Sequence, residues 1–289
     1  TSEISYLGCH THLWDFKKNK LSSLVKKLKF QSKFPSNEKA WKTIGVKKIG
    51  HSKLQIINGV HDSNASYLYF KNSNIKNFTL VSSGTWYIIF NQKNSLKKLK
   101  PELDMLSNID VYGKAVPTMR FMGGREYDYL LEKFKLTSKL KPISNFNLED
   151  YLIYPSYASG GAFKISKINI SKYKNLKKEQ IYYLVCLYIA FMLNYCLNKM
   201  NSKNTIILDG PITKNLMIMK LLSTLRPKQT VLKNKREIGT SLGATNLFNI
   251  NRKNKLDTIS IKKFQNQSLF SLYRLWESNL YKKELFSHP

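Results

Sequence analysis

The strongest constraint on the fold is a unit that occurs more than once: a short apolar strand, a turn of small residues, and a helix. Residues 205–208 have the pattern of such a strand, and the turn Asp209-Gly210-Pro211 leads into a helix over 215–225. The same order occurs where a strand over 54–57 runs toward a helix that begins near Asp62. Strands that alternate with helices predict an α/β protein.

Further elements follow from local patterns of apolar, small and polar residues. Two strands between residues 78 and 90 are predicted to form a hairpin around Ser83-Gly84-Thr85. A polar segment at 71–76 predicts a domain boundary. The other predicted elements are a strand in residues 4–16, a lysine-rich helix after it, a short helix around Trp41, a helix over 120–134, a loop over 154–163, a strand at Val231 and Leu232, a helix opening at Gly239, and a helix over 270–286.

The net charge of +30 is high enough to suggest nucleic acid as a partner. However, only six of the 48 basic residues are Arg, and the lysines are spread through almost every polar stretch. A surface that grips phosphodiesters favours the two-pronged guanidinium and clusters its charge. We therefore expect a solvated, compositionally biased surface and no specific nucleic acid.

Compartment and membrane context are indicated by three observations. Cys9, Cys186 and Cys196 form no CxxC pair, so neither a disulfide framework nor a cysteine zinc site is supported. The first residue is Thr1, and no signal-peptide pattern follows it. The uncharged run over 181–197 is marginal for a bilayer span and includes tyrosines and an Asn, so we expect a buried helix. These observations favour a cytoplasmic protein with no membrane partner.

Three places have residues suited to phosphate chemistry, and each also has an ordinary structural explanation. Asp62 lies where a general base could act, but Asp is also a favoured helix N-cap. The turn Ser83-Gly84-Thr85 could wrap a phosphate with its amides, or could be a simple hairpin turn. Asp209-Gly210-Pro211 with Asn215 could form the floor of a nucleotide site, or only a helix start with Pro near its first residue.

Other site classes find little support in the sequence. His10 and His12 are two residues apart, but no carboxylate or Cys lies at a supporting spacing, so we expect no metal site. The sequence has no Walker-type phosphate loop, Rossmann glycine fingerprint or zincin helix.

In order along the chain, the motifs together resemble the FGGY family of carbohydrate kinases, in particular its rhamnulokinase-like and fuculokinase-like branch. Each motif is weak alone, but six in the right order are specific and extend over essentially the whole chain. The motifs that carry the resemblance are YLGCHT at 6–11 with Trp14-Asp15, GVHDSNAS at 59–66, VSSGTW at 81–86, RFMGGREY at 120–127, DGP at 209–211 and GTSLGA at 239–244.

The resemblance implies an actin-like ATPase fold of the ribonuclease H-like type, with two domains and a cleft between them. Residues 1–72 would be the end of the N-terminal domain, and 73–289 the C-terminal domain. The family's activity would be phosphorylation of a sugar hydroxyl, of a ketose or related polyol, by ATP with Mg²⁺. Carried over by motif, Asp62 would be the general base and His61 a second substrate-binding residue; the ATP-binding residues would be Gly84, Thr85, Gly210, Pro211 and Asn215.

Two departures from the family pattern bear on function. Pro211 stands where a second glycine is common. The Asp-x-Gly-Thr-type phosphate loop that begins the family's N-terminal domain is not in this sequence, so we expect most of that domain to be missing and the fragment alone to be inactive. The alternative is a non-catalytic nucleotide-binding or sugar-sensing actin-like domain. A basic nucleic-acid binder is a third hypothesis, and a homodimer is compatible with the family.

Overall fold

A computed structural model describes residues 1–9, 11–236, 238–264 and 268–286 of the chain. Helices in these ranges are α1 (Ile4–Leu7), α2 (Ser23–Lys27), α3 (Asp62–Lys71), α4 (Gly123–Lys133), α5 (Lys178–Lys199), α6 (Leu216–Leu225), α7 (Gly239–Thr245) and α8 (Ser268–Lys282). Strands are β1 (Trp14–Asp15), β2 (Lys20–Leu21), β3 (Thr43–Ile49), β4 (Ser52–Ile57), β5 (Phe78–Ser83), β6 (Tyr87–Phe90), β7 (Met105–Ile109), β8 (Ala115–Phe121), β9 (Thr205–Asp209), β10 (Val231–Asn234) and β11 (Thr258–Ser260).

A mixed sheet of seven strands forms the centre of the described part of the chain, in the order β11-β10-β9-β5-β6-β8-β7. Strands β5, β9 and β10 are parallel neighbours, whereas β6 is antiparallel to both β5 and β8. The central five strands are β5, β6, β8, β9 and β10. Numbered 1 to 5 along the chain, they have the order 3-2-1-4-5 in the sheet, and the second strand is antiparallel to both of its neighbours. This arrangement is the ribonuclease H-like sheet of actin-like proteins, as the sequence predicted.

Apolar residues alternate along the strands, so that each face of the sheet packs against its own layer of helices. One face contacts the long helix α5 and its neighbours through Val81, Ile89, Ile206 and Leu208. The other face contacts α3 through Leu80, Ile88, Phe90 and Ile207. The sheet therefore lies between two layers of helices. Helix α3 lies beside the ends of β5 and β9.

Helix α5 is the core of the first layer, as the uncharged run over 181–197 predicted. It is the one helix among the described residues that is long and apolar enough to cross a membrane. However, 94% of that apolar stretch is buried inside the protein, against the sheet and helix α6.

The N-terminal segment differs most from the sequence-based prediction. Residues 4–7, predicted as strand, form helix α1, because Glu3 caps it by accepting a hydrogen bond from the Ser5 amide at 2.9 Å. The predicted helix around Trp41 is absent from the described residues. The chain instead forms the hairpin β3–β4, which turns at Gly50 in the left-handed conformation (φ 57°).

The predicted helix over 120–134 is shorter than expected. It begins at Gly123, and Arg120 lies on β8, where it pairs with Ile88 of β6. The pairing of an apolar strand with its neighbour prevails here over the helical spacing of the residues that follow. The predicted hairpin at 78–90, the loop at 154–163 and the strand at 205–208 are confirmed.

Candidate functional site

Asp62 is the first residue of α3, and its carboxylate is open to solvent, with the side chain 77% exposed. Its Oδ1 accepts a hydrogen bond from the Ser63 hydroxyl at 3.0 Å and from the Ser63 amide. His61 precedes the helix, and its Nδ1 lies 3.1 Å from the same oxygen. The carboxylate is thus held at the N-terminus of helix α3.

The side chain of His61 is positioned by the N-terminal segment. Its backbone amide donates to the Ser5 hydroxyl at 3.1 Å, and the edge of the Tyr6 ring packs on the imidazole. The thiol of Cys9 lies 3.5 Å from Nε2. Burial, with a smaller contribution from the nearby charge of Asp62, raises the pKa of Cys9 to about 11. The thiol is therefore neutral, which suits it as a partner that orients the ring.

The turn after β5 presents bare backbone at the edge of the sheet. Gly124, in the first turn of α4, lies so close to it that a Cβ there would come within 2.0 Å of the Gly84 carbonyl oxygen. The Arg125 amide donates to the Thr85 carbonyl at 3.3 Å. Glycine at position 124 is therefore required for α4 to begin directly against the turn at Gly84 and Thr85.

A second close approach joins the end of β9 to the same turn. Gly210 adopts a positive φ of 83°, and a Cβ there would lie 2.1 Å from the Ser83 carbonyl oxygen. The Ser83 hydroxyl donates to the Asp209 carbonyl at 2.6 Å and accepts from the Ile212 amide at 3.0 Å. Hence the two turns are fixed to each other by backbone contact and one buried hydroxyl.

Asn215 caps helix α6, because its Oδ1 accepts a hydrogen bond from the Ile218 amide at 3.0 Å. Its Nδ2 donates to the hydroxyls of Tyr127 and Tyr182, each at 3.1 Å. The side chain is fully engaged in this network, yet it also lines a cavity between α4 and α6.

Two cavities meet at the turn after β5. One, of about 460 Å³, is lined by His61, Asp62, Ser63, Ser82, Ser83, Gly84, Thr85, Trp86, Ile88, Arg120 and Thr240. The other, of about 390 Å³, is lined by Gly84, Thr85, Tyr87, Gly124, Arg125, Tyr127, Asp128, Pro211, Ile212, Asn215 and Ile218. Gly84 and Thr85 line both, so the turn is the point of contact between the two spaces.

The predicted site residues therefore form two groups, one at each cavity, and Gly210 belongs to neither group. His61 and Asp62 share the first cavity with Gly84 and Thr85, while Pro211 and Asn215 share the second with the same turn. The backbone of Gly210 instead packs against the Ser83 carbonyl, next to the turn.

Sequence reasoning did not single out several residues that line the cavities. Arg120 and Thr240 border the first, and Arg125 and Tyr127 border the second. Arg120 and Arg125 lie within the quoted motif at 120–127, and Arg is scarce in this chain, which was an available signal. The two tyrosine rings around Asn215 are far apart in sequence, so no local pattern relates them.

The described residues do not bring together side chains that could bind a metal ion. They contain no group of three or more His, Cys, Asp or Glu side chains placed to hold a metal ion. His10 lies outside the described residues, and His12 borders a separate, largely apolar cavity beside Trp14 and Met105.

Comparison with known proteins agrees with this architecture. A carbohydrate kinase from Novosphingobium aromaticivorans is 24% identical, with a TM-score of 0.76, over 96% of this chain and 65% of the other. A xylulose kinase from Lactobacillus acidophilus is 15% identical, with a TM-score of 0.69, over 98% and 64%. A glycerol kinase from Plasmodium falciparum, solved with ADP, is 14% identical, with a TM-score of 0.63, over 97% and 63%.

The chain thus spans less than two thirds of the length of these proteins. The strand order of the sheet and the likeness to these structures define the actin-like ATPase fold. The protein family described as "Carbohydrate kinase FGGY, C-terminal domain" matches this chain over residues 75–256, which is more than half of its length. The chain belongs to the FGGY family of carbohydrate kinases, as the motifs predicted. No curated protein matches the sequence. The rhamnulokinase-like and fuculokinase-like branch stays a prediction.

Proposed function

We propose that this chain is part of an ATP-dependent sugar kinase that phosphorylates a hydroxyl of a ketose or related polyol. The observation that carries the proposal is the turn at Gly84 and Thr85, which lines both cavities. A nucleotide in the second cavity would bring its terminal phosphate to this turn. A sugar hydroxyl in the first cavity would then face that phosphate beside Asp62.

Asp62 is the proposed general base. Its exposed carboxylate can accept the proton of a sugar hydroxyl while the oxygen attacks the γ-phosphorus in line with the leaving ADP oxygen. The Ser63 contacts and the adjacent His61 fix the orientation of the carboxylate, so little ordering is needed when the sugar binds. His61 lines the same cavity and is proposed to contact the sugar as well.

ATP is the proposed phosphoryl donor. The open backbone at Gly84 and the amide and hydroxyl of Thr85 would bind its phosphates, while Pro211 and Asn215 would border the adenosine. Gly210 is proposed to act within this group by allowing the turn at 209–211 to approach Ser83. The related Plasmodium falciparum protein solved with ADP supports nucleotide as the occupant.

Mg²⁺ would accompany the triphosphate and neutralise charge that develops on it. The described residues supply no carboxylate cluster for the ion. What the described residues would contribute on this side is the fixed backbone of the two turns.

We infer that residues 1–72 are the end of the N-terminal domain and 73–289 the C-terminal domain. The family match beginning at residue 75 supports this boundary. The related structures are about half as long again, so turnover is proposed for the whole protein and not for this stretch alone. A cytoplasmic location and a homodimer remain predictions.

The test is phosphorylation by the protein expressed from its whole reading frame. The assay would couple ADP release to a panel of ketoses and polyols, with Asp62→Asn beside the wild type. ATP-dependent phosphorylation that is lost in the variant supports the proposal. Binding of ADP without turnover on any sugar would favour the non-catalytic alternative, and absence of both would refute the proposed nucleotide site.

A further inference from the structure

We propose that Arg120 binds the phosphoryl group during its transfer and stabilises the negative charge on its oxygens. This inference rests on the proposed function. Arg120 lies on β8, the neighbour of strand β6 that follows the turn, and its side chain lines the first cavity together with Asp62, Gly84 and Thr85. Of the described residues around that cavity, it is the one Lys or Arg.

The guanidinium is held from two sides. Its Nε donates to Oδ2 of Asp104 at 2.9 Å, and the same oxygen accepts from the Gly161 amide at 3.1 Å. Its central carbon lies 4.5 Å from the centre of the Trp86 ring. Cation–π stacking and a charge-assisted hydrogen bond together restrict the group to one orientation.

Trp86 is in turn fixed by the loop at 154–163. Gly160 lies so close that a Cβ there would be 2.5 Å from Cη2 of the indole. Since Trp86 directly follows Gly84 and Thr85, the loop, the ring and the guanidinium form one support next to the proposed phosphate position. The loop thus supports Arg120 through Trp86, and none of its residues lines the first cavity.

The remaining donors of Arg120 suit a phosphoryl group. Only Nε is used, and neither terminal nitrogen makes a hydrogen bond to any residue that the structure describes. A planar pair of N–H groups matches two phosphoryl oxygens. The protein has 48 basic residues of which six are Arg, so the presence of Arg at this wall goes against the strong lysine bias of the sequence.

The experiment compares two probes on the protein expressed from its whole reading frame. ADP alone reports the nucleotide site, and ADP with aluminium fluoride stands in for the phosphoryl group in transfer. For Arg120→Gln we expect at least about a tenfold loss of affinity for ADP–aluminium fluoride, by calorimetry, and less than about twofold for ADP. Arg274→Gln, an exposed Arg on α8, is the matched control and should change neither value.

Equal losses for both probes, or no loss for either, would overturn the inference, since a purely structural residue or one that recognises a sugar carboxylate gives those results. If Arg120→Gln fails to fold, Arg120→Lys decides, because it keeps the charge but has one prong. We expect Arg120→Lys to lower the affinity for ADP–aluminium fluoride by about threefold or more and to leave the affinity for ADP unchanged. An unchanged ratio refutes the inference. A wild type that does not bind ADP refutes the proposed function itself.

Discussion

The hydroxyl of Ser66 donates a hydrogen bond of 3.1 Å to Oδ2 of Asp209, which ties helix α3 to the end of strand β9. Asn234 of β10 donates to the other carboxylate oxygen at 2.7 Å. Ser66 lies one helical turn after Asp62, while Asp209 immediately precedes Gly210. The proposed base and the proposed nucleotide turn are therefore held in a fixed relation by a single buried carboxylate.

Loss of the hydrogen bond between Ser66 and Asp209 should lower the free energy of unfolding measurably. Ser66→Ala leaves Oδ2 of a buried carboxylate without its side-chain donor, so we expect the free energy of unfolding to fall by about 1–3 kcal/mol. Urea denaturation followed by circular dichroism measures it. Ser278→Ala is the control, because that exposed hydroxyl bonds only to the Leu275 carbonyl within its own helix. A loss no greater than the control's would show that the tie contributes little.

Substitution of the proposed base should separate activity from stability. Asp62→Asn keeps the shape but removes the proton acceptor, so sugar phosphorylation should fall by about 10²–10⁴-fold. Because the carboxylate is exposed, the free energy of unfolding should change by no more than about 1 kcal/mol. Asp150→Asn, at an exposed position, should leave the rate unaltered. Retention of the wild-type rate in Asp62→Asn would remove Asp62 from the mechanism.

Strands β5, β6, β9 and β10 of the sheet were predicted because they carry their own signals, whereas β7, β8 and β11 were not predicted. The apolar run at 205–208 and the small-residue turn at 82–85 each determine a local structure that the fold preserves. The motif order then supplied the fold class, since no local pattern specifies that β5 pairs with β9 across more than a hundred residues.

The site was predicted only where its residues are adjacent in sequence. Asp62, the turn at Gly84 and Asn215 were named as candidates, but the network that joins Asn215 to Tyr127 and Tyr182 links three separate segments and was not predicted. The strand assigned to residues 4–7 was wrong because a single cap by Glu3 outweighed strand propensity. Contacts between distant segments decide such cases, and a single sequence does not reveal them.

Helices α3 and α7 are in close contact at Gly243. A Cβ at this position would lie 1.7 Å from the Ala65 carbonyl oxygen, so Gly243→Ala must push the helices apart. We expect a loss of about 1–3 kcal/mol or more in urea denaturation. Gly45→Ala is the control, because its Cβ would meet nothing nearer than 3.7 Å. Equal stability of the two variants would contradict the close packing.

Cys9 and His61 resemble a reactive Cys–His pair in distance alone. Burial raises the pKa of Cys9 to about 11, from an ordinary value of 9.0. At pH 7 the thiolate fraction should be roughly a hundredfold below that of an ordinary cysteine, so alkylation by iodoacetamide should be slow. Peptide mapping by mass spectrometry measures the rate, with urea-unfolded protein as the control. Rapid labelling of Cys9 in the folded protein would indicate an activated thiol instead.

Glu126 should make stability depend on pH. Its carboxylate is buried between α4 and α5, where it accepts hydrogen bonds from Ser156 at 2.7 Å and from Tyr188. Burial raises its pKa above the ordinary 4.5, and these hydrogen bonds only partly oppose that effect. As the pH rises past 4.5, the unfolded chain therefore releases this proton before the folded protein does.

The sign follows from linkage: the folded state binds more protons in this window, so its stability falls as the pH rises from the ordinary value through the folded pKa. Glu126→Gln cannot titrate, so the free energy of unfolding of the wild type minus that of the variant should decrease as the pH rises above the ordinary value of 4.5. Urea denaturation at several pH values measures this difference. Glu132→Gln, at an exposed position on the same helix, should give a flat difference. Parallel curves for wild type and Glu126→Gln would show that the buried carboxyl group is not the source of the dependence.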